Sequence, residues 1–369
     1  MKLTFAHLGD YHIAVKALFE TLGVDVVLPP PPTKRTMSLG SLNSPEFACL
    51  PLKIGIGNYL EALEMGADTI VMVGGIGPCR LGLYCEVQRQ ILEGLGCDFK
   101  MIVLEPPQGR PDRLLRQVRD IIGAQRISRL FDALRLTWSK LTAIDRLNKI
   151  TLCLRPFEKR KGDITRVYEA SLRRIDEAAS PKEVQAAAGN ARDAMKSVCK
   201  TEGRIGKAED PLAPRIGIVG EVFMVLEPFA NCEIEKRLGE MGVIVDRSIY
   251  LSDWAVEHVI KDAFRIFRKS KLLNEMAKPY LCHFVGGHGV ETIGSTVAYA
   301  NEGLDGVIQV APFTCMPEII AQDILAKISR DLGIPAMTLV LDEHSSDTGV
   351  LTRLEAFVDM IAMSKCRRR

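Results

Sequence analysis

The hydrophobic pattern of the chain switches between two periods. Short apolar runs at Leu3–His7, Val24–Leu28, Thr69–Val73 and Phe99–Leu104 alternate with longer amphipathic stretches at Tyr11–Leu22, Leu50–Met65 and Leu83–Leu95. Strand-like runs interleaved with helices of that length predict βαβ units and a parallel sheet. The alternation returns after Arg215. Strands are expected at Ile216–Val219, Val243–Val245, Pro279–Val285, Gly306–Val310 and Ala336–Leu341. Helices are expected at Cys232–Leu238, Ser252–Ala277, Val290–Glu302, Pro317–Leu332 and Thr352–Ser364. Between the two blocks, Pro106–Pro214 has few β-branched runs and reads as several helices. The expected fold class is α/β. Two Rossmann-like lobes with parallel sheets, 1–108 and 215–369, would be bridged by a helical segment, 109–214. The blocks share a plan, though no repeat is visible in their sequences.

Composition narrows the class without changing that plan. Of 369 residues, 47% are hydrophobic and 25% charged, which excludes disordered, collagenous and coiled-coil chains. The formal net charge of +2 argues against a dedicated nucleic-acid binder. No apolar run reaches the ~18 residues of a membrane span. His7, Asp10, His12 and Lys16 interrupt the first apolar stretch, unlike a signal peptide. A cytoplasmic, reducing compartment is therefore expected, where the ten cysteines would not form a disulfide framework. Charge is uneven along the chain. Pro106–Ala170 holds 15 Lys and Arg against 7 Asp and Glu, which makes either solvated helix faces or a surface for a phosphate or an acidic partner.

The candidate chemistry lies in those cysteines. No C-x-x-C pair occurs, so neither a zinc ribbon nor a thioredoxin motif is indicated. Ligands of open α/β sheets bind beyond the carboxyl ends of the strands. Cys79, in the glycine-rich turn after Val73, and Cys315, in the turn after Val310, fall there. Cys49 stands just ahead of the Leu50 helix. Three thiols at helix starts are expected to have lowered pKa values and to favour the metal-ligating thiolate. Cys85 is six residues beyond Cys79, and Cys282 lies near His283 and His288; both stay open as participants. Cys97, Cys153, Cys199, Cys232 and Cys366 read as small buried hydrophobes or incidental surface thiols.

Gly286-Gly287-His288-Gly289 is a turn that could bring backbone N–H groups and an imidazole to a ligand, or simply cap the Val290 helix. Gly74, Gly75 and Gly77 lack both the Lys-Ser/Thr of a P-loop and the G-x-G-x-x-G spacing. Asp342-Glu343-His344 is either a site rim or a helix-capping turn, with the second favoured.

Several segments are similar to a known family. ACLPLK at 48–53, GPCRLGLY at 77–84, GIVGEVF at 217–223, APFTCMPE at 311–318 and PAMTLVLDEHSSDTGVLTRLEAF at 335–357 resemble the D-component family of 2-hydroxyacyl-CoA dehydratases. The nearest branch is that of the activase-related "CoA protein activase" proteins, with double-cubane cluster proteins as relatives. The resemblance implies an iron–sulfur cluster, [4Fe-4S] or double-cubane, in the cleft between two Rossmann-like lobes. Cys49, Cys79 and Cys315 would ligate it, with Cys85 as an optional fourth ligand. It also implies a separate ATP-hydrolysing activator of actin/Hsp70-like fold that supplies a low-potential electron, an acyl-CoA substrate, and a heterodimer, while the prevalence of symmetric oligomers points to a homodimer. His288 would then be the catalytic donor for developing charge. The alternatives are a non-catalytic cluster carrier, a double-cubane type reductase of small molecules, and a plain small-molecule binding protein with structural cysteines.

Overall fold

The computed structural model of the chain describes residues 1–74, 81–104, 129–200, 213–256 and 269–367. Two four-stranded, all-parallel sheets organise it. The first comprises β1 (Lys2–Phe5), β2 (Asp25–Val26), β3 (Thr69–Val73) and β4 (Lys100–Leu104), in the order β2-β1-β3-β4. The second comprises β5 (Arg215–Gly220), β6 (Ile244–Arg247), β7 (Gly306–Pro312) and β8 (Ala336–Leu341), in the order β6-β5-β7-β8. Counted within each lobe, both orders are 2-1-3-4. The α/β class with two Rossmann-like lobes, expected from the hydrophobic pattern, is what the chain forms. The central strand β7 is buried along its whole length, as a parallel strand covered on both faces must be.

The expected helices of the first lobe form as well, with one more, at Lys34–Asn43, that the pattern did not announce. In the first lobe α1 (His12–Thr21) links β1 to β2, and the pair α2 (Lys34–Asn43) and α3 (Leu50–Glu64) leads into β3. Helix α4 (Leu81–Gly94) joins β3 to β4. Close approach in the α2/α3 pair depends on missing side chains. A Cβ at Gly40 would lie 1.8 Å from the Lys53 carbonyl oxygen, and one at Gly57 2.0 Å from that of Thr36.

Three helices fill the middle: α5 (Leu130–Leu154), α6 (Asp163–Glu177) and α7 (Pro181–Ser197). Helix α5 turns Leu136, Leu141, Ile144 and Leu147 inward at helical spacing. These residues share one core with Tyr11 and Ala14 of α1 and with Ile216 and Ile308 of the second sheet. The second lobe continues with α8 (Val222–Leu226), α9 (Ile234–Glu240) and α10 (Leu251–Ala255). Then α11 (Lys269–Ala277) and α12 (Gly289–Asn301) pair ahead of β7, as α2 and α3 do ahead of β3. Here a Cβ at Gly294 would lie 2.3 Å from the Leu273 carbonyl oxygen. Helices α13 (Met316–Leu332) and α14 (Asp347–Arg367) complete the chain.

Two expectations need correction. Pro279–Val285 is not a strand but an irregular link between α11 and α12. Cys282, His283 and Phe284 are exposed there, which a strand inside a parallel sheet would not allow. Val24–Leu28 shrinks to the two-residue β2, because Pro29 to Pro32 supply no N–H groups for a ladder. Of the long helix expected at Ser252–Ala277, α10 and α11 form parts; residues 257–268 lie outside the described ones. Among the described residues no helix is long and apolar enough to cross a membrane.

Candidate functional site

The lobes meet through the carboxyl ends of their strands. His7, just past β1, has Nδ1 3.0 Å from the Glu227 carboxylate, and the Gly9 N–H donates to the same group at 2.7 Å. The Thr314 hydroxyl, just past β7, donates to the Phe47 carbonyl at 3.1 Å. The Lys53 ammonium, on α3, donates to the Glu343 carboxylate just past β8. The cleft so closed is where an open α/β sheet binds its ligands, here contributed twice.

Two of the three predicted cluster cysteines come close to one another at this boundary. Cys49 is the N-cap of α3 and Cys315 the N-cap of α13, and each helix carries proline in its first turn. The local sequences match: Cys49-Leu50-Pro51 and Cys315-Met316-Pro317. Proline there fixes φ where no helical N–H is needed, so each cysteine is held at the mouth of its helix. The two are close enough that Cys49 opposes charge on Cys315. Cys79 lies outside the described residues. Nine cysteines are described, and all nine are free thiols.

The expected lowering of thiol pKa does not hold for Cys315. Burial pushes it well above the ordinary thiol value, outweighing the Glu318 N–H that hydrogen-bonds it; Glu221, Glu318 and Cys49 push the same way. A helix end favours an anion by only ~0.3–1 kcal/mol, less than the cost of moving a thiolate out of water.

Around Cys315 the second lobe places three glutamates that sequence reasoning missed. Glu318, in the first turn of α13, is 1% exposed. Its carboxylate accepts from Gln309 Nε2 at 2.8 Å and from the Thr292 hydroxyl at 3.2 Å. Glu221, the N-cap of α8, accepts from the Met224 N–H at 3.0 Å. Glu291 stands in the first turn of α12. Burial raises the pKa of all three, and Glu221 and Glu291 add to the rise at Glu318, which is pushed up to about 7. The one sequence signal was Glu318, three residues after a strand-end cysteine.

This makes stability of the metal-free protein depend on pH. A carboxyl whose folded pKa is raised binds its proton more tightly folded than unfolded, so its contribution is complete below the unfolded value of 4.5 and lost as pH rises through about 7. The loss is about 3 kcal/mol. Thermal melts from pH 5 to pH 8 should show a fall that Glu318→Gln removes; parallel profiles would contradict this.

His288 is the N-cap residue of α12. Its carbonyl accepts from the Thr292 N–H at 2.7 Å, while its ring does not make the capping bond. A Cβ at Gly289 would lie 2.7 Å from the Pro317 carbonyl oxygen, so the His288 turn rests directly on the first turn of α13. By the shared topology, His288 before β7 occupies the place that Cys49 occupies before β3. Cys85 is half-buried on α4 near Tyr59 of α3, whose hydroxyl it holds further from ionising after burial has raised it. Asp342 forms a capping turn, accepting from the His344 N–H and the Ser345 hydroxyl, while Glu343 beside it rims the cleft through Lys53. Two cations of the basic middle segment, Lys140 and Arg155, are buried and structural; Arg129, Arg135, Arg146, Lys149, Lys159, Arg160, Lys161 and Arg166 are exposed.

Among the described residues no three His, Cys, Asp or Glu side chains form a ready metal-holding group. The donor chemistry still fits a soft cationic centre. The Cys49 thiol and the carboxyls of Glu221 and Glu318 oppose ionisation at Cys315, and a cation that takes the thiolates as ligands relieves them. No family model matches the chain, and no curated protein matches it.

Proposed function

We propose that the chain is an iron–sulfur redox protein of the kind its sequence resembles, with Cys49, Cys79 and Cys315 as ligands of a cluster held in the interlobe cleft. One observation carries the reading: two cysteines from opposite ends of the chain, in matched Cys-apolar-Pro helix starts, converge on that cleft from different lobes. A bound cluster would supply one-electron transfer at low potential. Around it the chain's own residues would place the buried Glu318 carboxyl in the first turn after Cys315 and rest the His288 turn on the same helix start. A separate ATP-hydrolysing activator would deliver the electron, and the exposed cations of the helical segment are the surface offered to an acidic partner. The acceptor would be an acyl-CoA or another small molecule at the cluster.

The test is iron and sulfide content, with an EPR spectrum, on protein prepared anaerobically. About four irons per chain indicates a cubane and about eight a double cluster. Colourless, iron-free protein that also refuses anaerobic reconstitution would end the proposal.

A further inference from the structure

We propose that Tyr84 is a positioning residue that orients the Cys49 sulfur and, by donating a hydrogen bond to it, raises the reduction potential of the centre that sulfur holds. The inference rests on the cluster reading above and concerns a residue that reading does not use.

The Tyr84 hydroxyl is hydrogen-bonded to Cys49 Sγ, and each residue is 7% exposed. In a thiol–hydroxyl pair either group can donate. A metal-bound sulfur carries no proton, so as a ligand Cys49 can only accept, and the phenol must be the donor. The tyrosine ring belongs to one buried core with Leu52, Ile56, Tyr59, Ile70 and Leu92, so the position of its hydroxyl oxygen is set by a core and not by a mobile surface chain. The contact also ties the start of α3 to α4, the helix that begins two residues after Cys79 in sequence. A donor aimed at a ligand sulfur withdraws charge from the centre and favours its reduced, more negative state.

Tyr84→Phe keeps the ring and removes the donor. In the anaerobically reconstituted full chain the variant is expected to bind as much iron as the wild type. Its midpoint potential, from an EPR-monitored redox titration, should fall by about 60 mV, the equivalent of a tenfold change in a one-electron equilibrium. Tyr59→Phe, at an equally buried ring of the same core, should leave the potential in place. Full iron with an unchanged potential in Tyr84→Phe overturns the proposal, as does an equal shift in Tyr59→Phe. Should Tyr84→Phe lose iron, 3-fluorotyrosine at position 84 decides: the more acidic phenol must move the potential upward, and no movement overturns the proposal. A wild-type chain that takes up no iron fails earlier, and sinks the cluster reading itself.

Discussion

Serine at position 315 is expected to remove nearly all the iron that the wild-type protein takes up, and to leave the fold in place. Cys315 caps α13, and serine is among the preferred N-cap residues, so the helix start keeps or improves its local stability. What disappears is the sulfur. A hard hydroxyl does not replace a thiolate on a soft iron centre, and losing a direct ligand should cost more than the 10–100-fold in affinity typical of losing a residue behind one. Cys49→Ser should behave alike, because that cysteine caps α3 in the same way. Cys79→Ser is expected to lose iron as well. Cys232→Ser is the control, and Cys85→Ser should retain most of the iron, since Cys85 sits beside Tyr59 on α3. Iron per chain, with circular dichroism of each variant, reads out the series. Full iron in Cys315→Ser and Cys49→Ser would move the site out of this cleft. Equal loss in Cys85→Ser would make that residue a fourth ligand.

Strands were legible in the sequence where an apolar run is bounded by turn residues. Thr69–Val73 and Ala336–Leu341 match their predicted limits residue for residue, because each is a short, mostly β-branched or aliphatic run closed off by Gly, Pro or Asp at both ends. Pro279–Val285 failed for the same reason in reverse: LCHFV has strand composition, but the helix pair α11/α12 needs those residues as its connection. Helix α2 was hidden behind four prolines, although Thr33 and Thr36 form the capping box that announces it. At the site, the cysteines could be picked out because thiols are scarce and strand ends are predictable. Glu221, Glu291 and Glu318 could not, since glutamate in a first helical turn usually faces water, and only the packing of α8, α12 and α13 around β7 brings these together. Topology recovers a further relation that pattern could not: both lobes use strand order 2-1-3-4 and a tightly crossed helix pair before the third strand, so Cys49 and His288 stand at equivalent places. Lys53 and Glu343 are 290 positions apart, and neither has a sequence feature that names the other.

Breaking the Lys53–Glu343 pair should be strongly destabilising at the lobe boundary. The Lys53 side chain is 3% exposed and that of Glu343 19%. Besides Glu343, the ammonium also reaches the Glu46 carbonyl, at 3.1 Å. Glu343→Gln keeps the shape and removes the anion, which leaves a buried cation opposite a neutral amide; this typically costs about 3–5 kcal/mol. Lys53→Met removes the cation while filling the space of its stem, and should cost less. In the double variant the two losses should not add, because the uncompensated charge that makes Glu343→Gln costly is gone. The pH dependence has a fixed sign. Burial would raise the Glu343 carboxyl, but the Lys53 hydrogen bond and charge hold it below its ordinary value, so this stabilisation is present above about pH 4.5 and is lost as pH falls through the lowered value. Thermal melts of the four proteins at pH 7 and pH 4 test both points; a Glu343→Gln protein that melts with the wild type would refute them. The consequence reaches the site. Lys53 is one turn beyond Cys49 on α3, and Glu343 belongs to the lobe that carries Cys315, so this pair holds the two cysteines in register. A cluster bound by both lobes would bridge the same boundary. Glu343→Gln should therefore destabilise metal-free protein more than iron-loaded protein, and equal effects on the two forms would mean that the bound iron does not span the cleft.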